Sequence, residues 1–290
     1  ADGSEVLITN WPADAARRLR VADLPRTLCP AAATSLVNDL GATCHGIEAL
    51  AASGRLGQYF RVLWAPAGSS DAGAPCALRT DQRHVVSAMG TGLGVGLLVN
   101  AGGADGELSV LSSESGHLQM APLGTSHAAA RDEAALLRYL SDALYEGAHA
   151  PEYEDVCSGR GLVNCYRYVC SAAGVDAAAD VTAADVARRA TDESCAHCAK
   201  AMMLHYQYLL RNAQAVCVGM QTKGVFLAGD NQVHNKAYIE KHVDKWRRAF
   251  LNHPKREWLE PVTVYTQVQS LNINLEGCVY VAARAARAAT

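Results

Sequence analysis

Apolar and polar positions recur along the chain with two periods, and these divide it into strands and helices. Short β-rich runs occur at Glu5–Thr9, Tyr59–Trp64, His84–Ala88, Val95–Val99, Glu107–Leu111 and Val262–Tyr265. Gly224–Gly229 reads as a buried strand that ends in a glycine turn. Ser35–Leu40 predicts one more strand, delivering Asn38 and Asp39 to its C-terminal end, with a helix from Gly41 onward. Helical spacing marks Ala13–Arg20, Ala42–Ser53, Arg131–Glu146, Gly161–Ala173, Glu193–Val218, Ile239–Leu251 and Leu275–Ala289. Thr182-Ala-Ala-Asp185 has the form of a capping box opening a helix to Ala190, with Asp in place of the usual Glu. Val21–Pro30 reads as irregular, and the Ala-, Gly- and Ser-rich stretch from Pro66 to Pro75 as a surface loop. Strands interspersed with helices predict an α/β architecture.

Half of the 290 residues are hydrophobic, enough for a sizeable core. A net charge of −3 argues against an extended nucleic-acid footprint, which needs a basic face. No run of 18 apolar residues occurs, so no membrane insertion is expected. The N-terminus has neither an initiator Met nor the look of a signal peptide, which suggests processing or trimming. The ten cysteines are scattered through apolar and helical stretches and are expected to be mostly buried thiols in a reducing compartment.

Several stretches carry candidate chemistry. Asn38-Asp39 places a carboxylate at the mouth of a cleft, where open α/β sheets bind ligands. Gly90-Thr-Gly-Leu-Gly94 lies between two strands; its backbone N–H groups and the Thr91 hydroxyl suit a phosphate, though a tight hairpin explains it as well. Glu114 and His117 suit sugar hydroxyls or half of a metal site, and equally a solvated loop. Glu154 precedes Cys157-Ser-Gly-Arg-Gly161 and a helix start, which offers N–H groups to a polar ligand or is an ordinary cap. Cys195-Ala-His-Cys198 has redox or half-zinc spacing, but its helical setting favours buried structural thiols.

The ordered set resembles the bacterial-type glucokinases of the hexokinase/actin-like superfamily, and most the trypanosomatid-protist branch. It comprises Ile8-Thr-Asn-Trp11, Leu36-Val-Asn-Asp39, Gly90–Gly94, Glu114-Ser-Gly-His117, Glu154 with Ser158–Asn164, and Gly224–Gly229. The resemblance implies a two-lobe actin-like (ribonuclease H-like) ATPase fold. Residues 1–45 with a C-terminal helix at 271–290 would form the small lobe, and 46–270 the large one. It implies phosphoryl transfer from ATP, with Mg2+, to the 6-hydroxyl of glucose. Asp39 would be the general base; Asn38, Asp39, Glu114, His117 and Glu154 would bind the sugar. Gly90, Thr91, Gly92, Gly229 and Asp230 would bind the nucleotide, and no resident metal ligand is implied.

The sequence departs from the family at three points. It lacks the Asp-x-Gly-Gly-Thr phosphate turn, so the small lobe is expected to be incomplete. Met89 replaces the usual Pro, and Gly229-Asp230 replaces Gly-Gly. The alternative implied is a catalytically inactive glucokinase-derived subunit of a larger assembly, with protein partners covering the truncated lobe. A homodimer is common in the family, and the expected location is the cytoplasm or a glycosome-like organelle.

Overall fold

The structure, a computed structural model, describes residues 5–7, 18–25, 27, 34–66, 68, 76–100 and 108–288. Strands β1 (Glu5–Leu7) and β2 (Arg18–Arg20) pair antiparallel, and Glu5 accepts hydrogen bonds from both Arg18 and Arg20. A second sheet holds β3 (Phe60–Trp64), β4 (His84–Met89), β5 (Leu93–Asn100), β6 (Leu108–Ser113), β7 (Gly224–Ala228) and β8 (Thr263–Gln267). Its spatial order is β3-β8-β7-β4-β5-β6. β4, β5 and β6 form an antiparallel meander, whereas β7 and β8 run parallel to β4.

The helices are α1 (Asp39–Ala52), α2 (Leu56–Tyr59), α3 (Ala130–Tyr145), α4 (Gly159–Ala172), α5 (Ala183–Thr191) and α6 (Ala196–Met220). After β7 come α7 (Asp230–His234), α8 (Lys236–Lys241), α9 (Val243–Phe250), α10 (Arg256–Leu259) and, last, α11 (Ile273–Ala288). The predicted α/β architecture is therefore present.

Side chains alternate across the sheet, and that period divides the core in two. Val85, Met89, Val95, Leu97, Val225 and Leu227 pack toward α4, α6 and α9. Val86, Leu98, Phe226, Ala228 and Tyr265 face the opposite way, toward Ile47 and Leu50 of α1 and Ile273 of α11.

Two glycines let α1 lie close on β5. A Cβ at position 94 would sit 2.0 Å from the Leu40 side chain, and one at 96 would sit 2.7 Å from Cys44 Sγ. The same device joins α1 to α11. A Cβ at position 277 would meet the Ala42 carbonyl oxygen at 1.8 Å, and one at 46 would meet that of Ile273 at 2.2 Å.

Three expectations are corrected. Residues 34–38 form no strand, because Asn38 caps a helix that begins at Asp39, two residues earlier than expected. Arg18–Arg20 is a strand rather than the end of a helix, since the two arginines face Glu5 across a ladder; positions 13–17 lie outside the described residues. The expected helix Ile239–Leu251 divides at His242 into α8 and α9. The capping box at Thr182 is present, with Thr182 Oγ1 accepting from the Asp185 N–H at 3.1 Å. Most of the expected loop at 66–75 lies outside the described residues, as do Thr9 and Glu107.

The close helix–helix contact predicts asymmetric effects of adding one methyl group. Gly277→Ala should destabilise by about 1–3 kcal/mol through overpacking. Gly219→Ala, on an exposed turn of α6 with nothing within 4 Å of a Cβ, should stabilise. The expected gain is about 0.5–1 kcal/mol. Urea midpoints of the two variants, read against the unaltered chain, check the pair of signs.

Candidate functional site

Every residue singled out from the sequence as a sugar or nucleotide contact lines one cleft of about 390 Å³. Asn38 and Asp39 stand at the start of α1, Gly90–Gly92 form the β4–β5 turn, and Glu114 and His117 follow β6. Glu154 precedes α4, while Gly229 and Asp230 follow β7. The meander brings the turn after β4 beside the segment after β6. The parallel pair β4–β7 sets Gly229 next to the end of β4. Five stretches of the sequence thus meet at one edge of the sheet.

Asn38 is a helix cap before it is anything else. Its Oδ1 accepts from the N–H groups of Leu40 at 2.9 Å and Gly41 at 3.1 Å. Those bonds satisfy donors that a helix start leaves open. They also fix the next residue, Asp39, at the N-terminus of α1, where the helix dipole favours a carboxylate. Asp39 is exposed, and one of its oxygens accepts from the Leu40 N–H at 2.8 Å. Below it, Thr43 donates to the Asp39 carbonyl at 3.0 Å and lies 2.5 Å from Asn274 Oδ1, tying α1 to α11.

Glu154 is held more firmly. Only 9 % exposed, it accepts from the Leu93 N–H at 2.9 Å through Oε2 and from Arg160 at 2.5 Å through Oε1. Position 92 must be glycine for that approach, since a Cβ would lie 2.6 Å from Glu154 Oε2. An ionised carboxylate has about four acceptor sites, so two bonds leave capacity facing the cleft.

His117 and Glu114 sit on the open side. His117 Nδ1 lies 2.7 Å from Glu152 Oε2, and its Nε2 lies 4.0 Å from Glu114 Oε2. The hydrogen bond to Glu152 raises the His117 pKa, burial opposes the rise, and the charges of Glu154, Glu152 and Glu114 add to it. With Nδ1–H donated to Glu152, Nε2 is left for a ligand. Glu114 itself is exposed, and its His117 contact is at the limit of an ion pair.

The helix start after Glu154 does not offer a free N–H cluster. The Gly159 N–H donates to the Gly90 carbonyl at 2.9 Å, and the Gly161 N–H donates to Ser158 Oγ at 3.0 Å. That segment clamps the glycine turn rather than opening toward a phosphate. Gly94, the last glycine of the motif, lies within β5 and faces the Leu40 side chain.

A second recess, about 510 Å³, continues from the first and shares Thr43, Ala88, Gly229, Asp230 and Asn274 with it. Gln267, Ser270 and Asn272 add polar groups there. Gln267 is 1 % exposed, and its Oε1 accepts from the Gly229 N–H at 2.8 Å. Gly229 has φ +107°, and a Cβ there would lie 2.5 Å from the Met89 carbonyl oxygen.

Sequence reasoning missed Glu152, Asn231, Gln267 and Asn274. Glu152 left no periodic signal, because it caps the short helical turn Tyr153–Asp155 and reaches His117 only through the fold. Asn274 and Gln267 come from the far end of the chain and become neighbours only through the fold. Among the described residues, no group of three His, Cys, Asp or Glu side chains is arranged to hold a metal. No described helix is long and apolar enough to cross a membrane.

Comparison with known proteins gives one consistent picture. The family profile described as glucokinase matches residues 18–282. Glucokinase 1 of Trichomonas vaginalis is 33% identical over 281 residues, covering 96% of this chain and 73% of that protein. The crystal structure of a Balamuthia mandrillaris glucokinase in complex with glucose is 40% identical, with a TM-score of 0.89 over 97% of this chain and 74% of that one. A Leishmania braziliensis glucokinase structure is 27% identical, with a TM-score of 0.82 over 98% of this chain and 72% of that one. A more distant sugar kinase, a ROK family glucokinase from Streptomyces griseus at 16% identity and a TM-score of 0.53, shares the actin-like fold alone.

Replacing Glu152 tests the electrostatics directly. Glu152→Gln removes the dominant cause of the raised His117 pKa. Its imidazole should then titrate closer to the ordinary value of about 6.5. Because the folded value is raised, the pair stabilises the fold fully below the unfolded pKa and loses this as pH rises through the folded one. NMR titration of the His117 ring in both proteins reads the shift, and an unchanged midpoint would remove Glu152 as its cause.

Proposed function

The chain belongs to the glucokinase family, and on that premise we propose that Asp39 is its general base as the γ-phosphoryl group of ATP passes to the 6-hydroxyl of glucose. The observation that carries this reading is the convergence of all ten candidate residues on one cleft.

Asp39 accepts the hydroxyl proton as the sugar oxygen attacks phosphorus. The cap formed by Asn38 holds that carboxylate in place, so little orientation remains to be found on binding. Glu154, fixed by Leu93 and Arg160, accepts from sugar hydroxyls with its remaining lone pairs. His117, oriented by Glu152, presents Nε2 to another hydroxyl, and Asn38 and Glu114 complete the sugar contacts. Glucose fits this set because its hydroxyls each both donate and accept, as three carboxylates, an imidazole and an amide require.

The glycine turn suits the phosphates. Nothing lies within 4 Å of a Cβ position at Gly90, so the backbone there is open to a close approach. Thr91 adds a hydroxyl donor, and Gly229 and Asp230 face the nucleotide from the recess shared with Gln267. Mg2+ carried in with ATP supplies charge neutralisation on the phosphate oxygens.

Asp39→Asn should lower ADP formation with Mg-ATP and glucose by about 10²–10⁴-fold. The rise in melting temperature on adding glucose should persist, because the sugar contacts from Glu154 and His117 remain. Turnover within tenfold of the unaltered chain would reject Asp39 as the base. Loss of the glucose-induced shift as well would make it a binding residue first.

A further inference from the structure

Away from the cleft, Cys195 and Cys198 occupy the start of the longest helix in the described chain. Cys195 is the N-cap of the 25-residue α6, and its Sγ accepts from the Cys198 N–H at 3.3 Å. The two cysteines are thus three positions apart across the first turn, the placement that brings a pair within reach of one S–S bond.

The two thiols have unlike surroundings. Cys195 is half-buried and reachable from solvent, whereas Cys198 is 0 % exposed. Burial would raise the Cys195 pKa, but the Cys198 thiol, the Cys198 N–H, the Arg189 charge and the His197 N–H outweigh it, and the net shift is downward. Burial, with the neighbouring Cys195 sulfur, pushes Cys198 up to about 12. The remaining described cysteines are buried except Cys278, and all are free. A metal reading of the pair finds no third ligand group among the described residues.

We propose that Cys195 and Cys198 form a thiol–disulfide exchange site for small-molecule disulfides, with Cys195 as the attacking thiol and Cys198 as the resolving one. The Cys195 thiolate attacks one sulfur of the incoming disulfide. An S–S bond forms to Cys195, the original S–S bond breaks, and one thiolate leaves and takes up a proton. The Cys198 sulfur, giving up its proton to solvent, then attacks Cys195 Sγ and expels the second thiolate. Two protein thiols are oxidised to one disulfide, and the incoming disulfide is reduced to two thiols. The half-buried sulfur at the helix N-terminus and the fully enclosed sulfur behind it are the asymmetry this order of attack requires.

Glutathione disulfide at neutral pH is the probe, read by intact mass and peptide mapping. The unaltered protein should lose two hydrogens, with Cys195 joined to Cys198. Cys198→Ser should stop at a stable glutathione adduct on Cys195, and Cys195→Ser should leave Cys198 unmodified. An adduct confined to Cys278, or a bond from Cys198 to Cys170, would overturn the proposal. If either variant fails to fold, alkylation of the unaltered protein replaces it. Cys195 should react on the order of tenfold faster than Cys278 at pH 7, as a thiolate favoured by its surroundings must. Equal or slower reaction would equally overturn the assignment.

Discussion

Helix α1 rests on the sheet because positions 94 and 96 carry no side chain. Leu40 and Cys44 occupy the space that Cβ atoms there would fill. From this contact the site follows. α1 starts one residue before Leu40, so its seat on β5 determines how far Asp39 stands from the glycine turn. α11 completes the seat from the other side through Gly277 and Gly46. The N-terminal end of α1 is therefore positioned by two side chains set on bare sheet backbone and by backbone packed on the backbone of α11, which leaves little room for it to shift.

Around this frame the polar groups fall into two kinds. Glu154 and His117 arrive already paired, with Arg160 and Glu152. Asp39 and Glu114 stand exposed. Pairing stabilises charge where Glu154 is removed from water, since a buried carboxylate without partners is costly. The exposed pair keeps its hydration until a ligand replaces it. One half of the cleft is thus paired before binding, and the other stays hydrated until a ligand arrives.

How much of this was legible in the sequence depends on the kind of signal. The strands of the large sheet were readable as short, nearly continuous apolar runs, because both faces of that sheet are covered. The Asn38-Asp39 pair was located correctly but given the wrong backbone. An apolar run with two polar residues reads as a strand end, whereas the decisive fact was the preference of Asn for a helix N-cap. Gly94 was read as part of a phosphate turn, and its space is taken by Leu40. That exchange is invisible along the chain, since it joins positions more than fifty residues apart. Asn274 and Gln267 escaped for the same reason. The cysteine pair was legible as spacing, but its unequal exposure belongs to the fold alone.

The parallel pairing of β4 and β7 ends with Ala88 opposite Ala228, and each strand then runs into a glycine one or two residues on. Gly229 turns away with φ +107°, its Cα hydrogen directed at the Met89 carbonyl. The loop proposed to face the ATP phosphates and the loop proposed to face the rest of the nucleotide therefore share one van der Waals boundary. At this contact neither can be re-sequenced without regard to the other, because a side chain at position 229 would displace the Met89 carbonyl. A designer grafting a new nucleotide preference onto this scaffold would have to treat the two loops as a single heritable part.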